Sequence, residues 1–327
     1  VGENFFNFNS LTLNDTKGRS ASVNGSISHN YFYDFFLDLS VNHDNFKVMS
    51  TTSKNNELFY GNAYSSGVFT MKGSFDDLTM EITARTERGT QIKIPISTDV
   101  SVSENNFVIF KSTEPAPDLG EKVYDINLKG LEINLTLDVT EDAEIELFLP
   151  YSIGTIEGSG KGELGVGVNK RGDLYIFGDY LITKGEFVFN FEGLISKKFE
   201  IKDGSRLSWR GDPYDGTIDV RGVYKTRTNL NGLQLQVDSS SLYRTNVEVL
   251  CIIILQNDLY NPDISFSIDF ANVPDNTKEI IYASLDTTDQ GAMSQQILSL
   301  LLLNSFSYTS NNPDISATSF KLLSNQV

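Results

Sequence analysis

Strict alternation of apolar and polar residues runs through most of this chain, and it limits the fold more than any other feature. In LEINLTLDV, Leu131, Ile133, Leu135, Leu137 and Val139 alternate with polar residues. LDLSV repeats the pattern with Leu37, Leu39 and Val41, and LQLQV with Leu233, Leu235 and Val237. TIDVRGVY carries it from Ile218 and Val220 through Gly222 to Tyr224, and DISFSIDF through Ile264, Phe266, Ile268 and Phe270. Successive side chains of a strand point to opposite faces, so each segment predicts a strand with one apolar and one polar face. Turn-forming stretches separate them: KGRS, NKRGD, KDGS, RGDPYDG and NPD. Proline is scarce, with 8 in 327 residues, as long hydrogen-bonded strands require.

One phrase occurs twice. GNAYSSGVFTM, from Gly61 to Met71, and GDYLITKGEFVFN, from Gly178 to Asn190, both set glycine, tyrosine and glycine ahead of an apolar run carrying phenylalanine. The repetition predicts a duplicated sheet unit. The glycines predict a bend, a bulge or close backbone approach, making the phrase a corner between strands. Its phenylalanines then re-enter the sheet on the apolar face.

From Asp286 the pattern changes, in DTTDQGAMSQQILSLLLLNSF. Thr287 and Gln290 have capping-box spacing. Met293, Ile297, Leu300 and Leu301 fall on one helical face, and Leu298, Leu302 and Leu303 widen it. A mostly covered helix is expected from about Thr287 to Phe306. SATSFKLLSNQV begins a second helix without a C-cap, so the chain is expected to be a fragment.

The net charge of −17 leaves no cationic excess to displace phosphate counterions, which argues against nucleic acid and against an anionic membrane surface. A single cysteine, Cys251 in VLCIIIL, rules out a disulfide within the chain and reads as a buried thiol. ILSLLLL is far short of the roughly 20 residues that span a bilayer. VGENFFNF is no signal peptide, so either the protein is cytoplasmic or its targeting segment lies outside this chain.

No constellation carries chemistry. His29 and His43 stand beside Asn or Asp and read as surface residues. GSGKGELGVGV lacks the Lys-Ser/Thr of a phosphate loop and reads as a slender, closely packed strand. NHDN and the NPD segments lack the spacing of a calcium loop. EDAEIE reads as a solvated strand edge. Asn14, Asn24 and Asn134 head sequons expected by chance in an Asn-rich chain. Paired glycosidase carboxylates would be matched only in space, and nothing in the sequence selects a pair. No enzyme, cofactor or metal site is expected.

The stretch GDYLITKGEFVFNFEGLISKKFEIKDGSRLSWRGDPYDGTIDVRGVYKT, from Gly178 to Thr226, resembles the C-terminal domain of the TamB family, the inner-membrane component of the translocation and assembly module. The resemblance lies in the Gly-x-Tyr-x-x-x-x-Gly phrase, FEI, Gly-Ser-x-x-x-Trp, the turn Gly211-Asp212-Pro213-Tyr214 and IDVRGVYKT. LQNDLYNPDISFSI, SQQILSLLLLNSF and SFKLLSNQ follow in the family's order, so it covers about 158–326. FYGNAYSSGVFTMKG and GTQIKIPI anchor residues 1–118 to the segment that precedes this domain. The resemblance implies segments 1–118, 119–273 and 274–327: preceding sheet, C-terminal β domain and helical cap truncated at its end. It implies a mainly β fold, an elongated, bent, antiparallel, taco-like sheet with an apolar inner trough and one or two short helices near the C-terminus.

It also implies a periplasmic location in a Gram-negative cell, with an inner-membrane anchor outside this chain. The implied partners are a TamA-like Omp85 barrel, phospholipids and outer-membrane protein clients. The implied role belongs with the AsmA-like and bridge-like lipid transfer proteins: phospholipid transport to the outer membrane, outer-membrane protein assembly, or both. The last strands that follow SNQ in relatives are expected to be missing, and barrel-contact residues with them. An apolar face needs a cover or a guest, and Phe187, Phe189, Leu207, Trp209, Ile218 and Val220 are either the lining of a lipid or client groove or simply core. The alternatives are a strand-pairing chaperone or scaffold acting through a sheet edge, and a β-sandwich adhesive or carbohydrate-binding module. Trp209 lies within strand alternation rather than on an exposed loop, which argues against the last.

Overall fold

The computed structural model describes residues 4–56, 58–96, 130–191, 193, 195–233, 235 and 246–307. Most alternating segments become strands. Among the described residues these are β1 (Phe5–Asn14), β2 (Ser20–Asn30), β3 (Tyr33–Thr51), β4 (Tyr60–Ser74), β5 (Asp77–Thr86), β6 (Gln91–Pro95), β7 (Leu131–Val139) and β8 (Glu144–Phe148). They continue as β9 (Gly154–Val168), β10 (Leu174–Phe191), β11 (Ile195–Ile201), β12 (Arg206–Gly211), β13 (Thr217–Asn229), β14 (Asn246–Asp258) and β15 (Asp263–Ala271). Two helices follow, α1 (Asp275–Ser284) and α2 (Gln290–Leu303).

All fifteen strands join one sheet in the order β1-β2-β3-β4-β5-β7-β9-β10-β11-β13-β14-β15, with β6, β8 and β12 attached alongside. The fold is mainly β and elongated, as the alternation and the resemblance imply. Pairing is antiparallel except between β5 and β7 and between β6 and β8, which are parallel. Parallel pairing needs a long connection rather than a hairpin, and it falls where the chain returns after residues 97–129. The boundary expected at 118/119 lies outside the described residues.

Three rows of the sheet are each made of two short strands laid end to end. β5 and β6 both pair with β4, β7 and β8 both with β9, and β11 and β12 both with β10 and β13. The joints between the halves line up as a crease. Glu87 N–H donates to the Tyr64 carbonyl (2.8 Å), Glu144 N–H to that of Thr90 (2.9 Å), Ile182 N–H to that of Ser205 (2.9 Å) and Lys202 N–H to that of Arg221 (2.8 Å). β9 and β10 shift register at the same level, between Ile182 and Lys184.

Both repeated phrases cross this crease inside a single long strand, β4 or β10, and neither is the corner expected between strands. Their neighbours break while they run on. In β10 the bulge at Thr183 adds one residue and switches the inward parity. Tyr180 and Ile182 before it and Phe187 and Phe189 after it are therefore all buried. The slender strand GSGKGELGVGV is β9, and its glycines admit the Tyr180 ring. A Cβ at Gly160 would lie 2.7 Å from Tyr180 Cζ and collide with the Leu181 carbonyl.

Three further expectations change. EDAEIE is no strand edge: β8 is paired on both sides, with β6 and β9. LQLQV does not begin as a strand, since Leu233 N–H closes a local turn onto Leu230 and Leu233 and Leu235 are buried; Val237 lies outside the described residues. The C-terminal helix begins at Gln290, because the Asp289 carboxylate accepts from Gly291 and Ala292 N–H and displaces the expected Thr287 cap. Gln290 is thereby free to accept from Phe266 N–H at the edge of β15 (3.3 Å). α1 and α2 are the short helices expected near the C-terminus, though periodicity gives no sign of α1, whose sequence, DNTKEIIYAS, buries only Ile281 and lacks a long apolar stripe. The second helical start, SATSFKLLSNQV, lies outside the described residues.

Candidate functional site

Cross-strand partners share a face of the sheet, so the registers trace apolar rows across it. One row runs Leu39–Met71–Met80–Ile133–Val168–Leu174, through β3, β4, β5, β7, β9 and β10. The next runs Val23–Val41–Phe69–Ile82–Leu135–Val166–Ile176 and begins one strand earlier, on β2. At 4.7–4.9 Å per strand the second row is about 29 Å long. Apart from the buried Val23, its members are only half-buried, as is every member of the first row. The opposite face carries exposed ion pairs such as Lys72–Asp38 (3.2 Å) and Arg85–Asp138 (3.5 Å).

Over β11 and β13–β15 the sheet is closed. Ile218, Val220, Val249, Ile253, Phe266 and Phe270 join Ile297, Leu300 and Leu301 of α2 in one apolar cluster. The α2 C-terminus is fixed by Asn304, which bonds Thr226 Oγ1 and donates to the Arg227 carbonyl (3.1 Å). α1 is held by Asp269 of β15, which accepts from Lys278 Nζ (3.0 Å) and Tyr282 Oη (2.8 Å). Burial pushes the Asp269 pKa up, but these bonds and that from Phe270 N–H outweigh it and leave the pKa lowered.

Five of the six candidate lining residues lie in the closed part. Phe187, Phe189, Leu207, Ile218 and Val220 are buried, and Phe189 meets Phe187, Phe199 and Phe266 at ring separations of 6.0–6.1 Å. Trp209 is half-buried and ends the row Leu137–Leu164–Gly178–Trp209, at the border between open and closed parts. Its indole packs against Gly216, where a Cβ would lie 2.6 Å from Nε1. The half-buried rows on β3–β5, β7 and β9 contain none of the six candidate residues. Their signal, the alternation in LDLSV and LEINLTLDV, was plain, but alternation does not reveal where helices dock.

His29 is not the surface residue expected, and His43 is half-buried. His29 is buried among Phe6, Phe32 and Phe35, at ring separations of 5.3, 4.5 and 5.7 Å, and its Nδ1 accepts from Phe32 N–H. His43 shares a row with Ala21 and Gly67, and its Nε2 bonds Ser65 Oγ (2.8 Å). Burial lowers the His43 pKa, and Asp44 partly opposes this. Both point inward because strand parity decides their side, whatever their polar sequence neighbours. No group of three or more metal-ligating side chains occurs among the described residues. Cys251 is fully buried, and burial pushes its pKa up to about 12. A hollow of about 880 Å³ lies over the crease, bordered by Lys93, Glu146, Glu157, Glu186 and Glu200. These form a polar cross-strand row, so the hollow is distinct from the apolar rows.

The outer edges of β1 and β15 meet no further strand among the described residues. A single elongated sheet, packed by helices at one end and carrying half-buried apolar rows on its other strands among the described residues, defines a mainly β protein. The TamB C-terminal domain family matches residues 9–326, and the chain belongs to that family. Membership associates it with a TamB-type role in outer-membrane assembly and with the cell envelope. No curated protein and no solved structure is similar enough to count as a match. No helix among the described residues is long and apolar enough to cross a membrane.

Proposed function

We propose that the open apolar face holds phospholipid acyl chains and passes them toward the outer membrane, without catalysis. On this reading the protein is a periplasmic segment of the translocation and assembly module. It links an inner-membrane anchor to a TamA-like Omp85 barrel and supports assembly of outer-membrane protein clients. The observation that carries the reading is the pair of half-buried rows, one through Phe69, Ile82 and Leu135 and one through Met71, Met80 and Ile133, next to a stretch of the same sheet that α2 does cover. Apolar surface of this extent marks a binding face. Phe187, Phe189, Leu207, Ile218 and Val220 then form the closed end of the trough, and Trp209 its threshold.

The test is lipid mass spectrometry on the chain purified from bacteria, beside a Phe69→Asp, Ile82→Asp variant. Co-purifying phospholipid that disappears in the folded variant is the expected result. Equal lipid in both, or none in the wild type, would sink the conduit. A second reading, a strand-pairing scaffold, draws on the outer edge of β1, which is unpaired among the described residues. Proline substitutions along β1 would abolish client binding on that reading and leave lipid capture intact.

A further inference from the structure

β2 and β3 are joined by a two-residue hairpin loop, Tyr31-Phe32, closed by the pair Asn30 and Tyr33. Both loop residues have positive φ, 51° and 66°, as a type I′ turn requires. Asn-Gly suits that turn, whereas bulky aromatics are strained there. Asp34 adds a third positive φ, 51°, where β3 bulges against β2. The strain is not repaid by burial at the tip. Tyr31 is 81% exposed, Phe32 68% and Tyr33 74%. Phe75, 66% exposed in the neighbouring β4–β5 turn, meets Phe35 at 6.0 Å and extends the patch. Phe32 is propped on the buried His29 ring, so the cluster has a fixed base and an exposed crown. Strain concentrated at an exposed tip points to function rather than to folding.

We infer that this aromatic tip inserts into the interfacial zone of a phospholipid bilayer. The tip protrudes at a hairpin turn, so it suits entering another phase rather than receiving a ligand. Tyrosine and phenylalanine side by side present an apolar body with hydroxyl groups at headgroup depth, the composition favoured at membrane interfaces. Residues 28–36 contain no Lys or Arg and one acid, Asp34. The surface it meets is therefore a zwitterionic leaflet, since anionic lipid would repel a chain of net charge −17. This inference goes beyond the conduit reading and does not depend on it.

The test is flotation of the full chain with phosphatidylcholine–phosphatidylethanolamine vesicles. Two tip variants accompany it, Tyr31→Asn with Phe32→Gly, and Tyr31→Ser with Tyr33→Ser. The first installs the residues that the turn favours, and the second leaves the Phe32–His29 stack in place, so at least one retains the wild-type melting temperature. The wild type is expected to float, and the folded tip variants to lose at least about ten-fold in bound fraction. High salt should leave binding unchanged, because no cation takes part. Adding phosphatidylglycerol should weaken it. The tip variants should keep any co-purifying lipid, and the Phe69→Asp, Ile82→Asp variant should still float, which separates failure here from failure of the conduit. A wild type that stays out of the vesicles, or tip variants that float as well as it does, overturns the inference. So does a wild type that ignores vesicles yet cross-links through position 31 to an envelope protein, which would make the tip a protein-docking element.

Discussion

Replacing Leu300 with alanine should loosen α2 from the sheet, and the single cysteine reports on it. Leu300 is buried against the closed part of the sheet, in the same cluster as Cys251 on β14. Leucine-to-alanine changes at such sites cost about 2–5 kcal/mol, from lost transfer energy and the cavity left behind. Taking about 3 kcal/mol, and 1.36 kcal/mol per tenfold, opening of the helix becomes roughly 150-fold more favourable. Cys251 is fully buried with its pKa pushed up to about 12, so a thiol reagent at neutral pH reaches it only through opening. Its labelling rate should rise by about that factor when reclosing outpaces labelling. The melting temperature should fall by about 6–12 °C, at the 2–4 °C per kcal/mol typical of large domains. Leu303→Ala, in the same helix but 73% exposed, should change stability by no more than about 0.5 kcal/mol. A Leu300→Ala protein that labels and melts like the wild type would refute the assignment of α2 as the roof over this part of the sheet.

Gly160→Val should destabilise the chain by several kcal/mol, of order 3 or more, because its Cβ meets Tyr180 and the Leu181 backbone, neither of which has room to yield; urea unfolding measures it, and an unchanged midpoint would remove the close-packing role of β9. Asp269 has a lowered pKa in the fold, so its contribution is complete above the ordinary carboxylate value and disappears as pH falls through the lower folded value. Asp269→Asn should therefore lower the neutral-pH melting temperature and flatten its decline on the acid side, as a pH series of thermal melts would show. His43 also has a lowered pKa, through burial. The fold therefore favours its neutral form, with stability complete above about pH 6.5 and falling as pH drops below it. Urea midpoints at pH 8 and 5.5 should differ less in His43→Gln than in the wild type.

The strand-rich fold was legible because period-two alternation is a local property. LEINLTLDV and TIDVRGVY state their two faces within a few residues, and β7 and β13 follow them. LQLQV shows the limit of such reading: Leu233 and Leu235 alternate like a strand, but they lie in a turn and are buried, so tertiary packing overrode the pattern. The repeated phrase shows another. Its glycines and apolar residues announced irregular backbone, but a bulge inside one strand and a corner between two leave the same trace in sequence. What separates them is whether the neighbouring strands break, and that depends on β5, β6, β11 and β12.

For the candidate residues the apolar chemistry was legible, but whether they are core or lining was not. The sequence by itself determined that there would be a sheet with an apolar face, a buried thiol and a late apolar helix, because each follows from side-chain periodicity over fewer than twenty residues. Only the tertiary structure decided which part of that face stays open. α2 docks over β15 and its neighbours and seals Phe187, Phe189, Ile218 and Val220 into core, while Phe69, Ile82 and Leu135 on equally alternating strands have no such cover among the described residues. The physical reason is that burial belongs to pairs of surfaces. A strand encodes the apolar side it presents, but the element that meets it comes from far along the chain, here from residues 290–303.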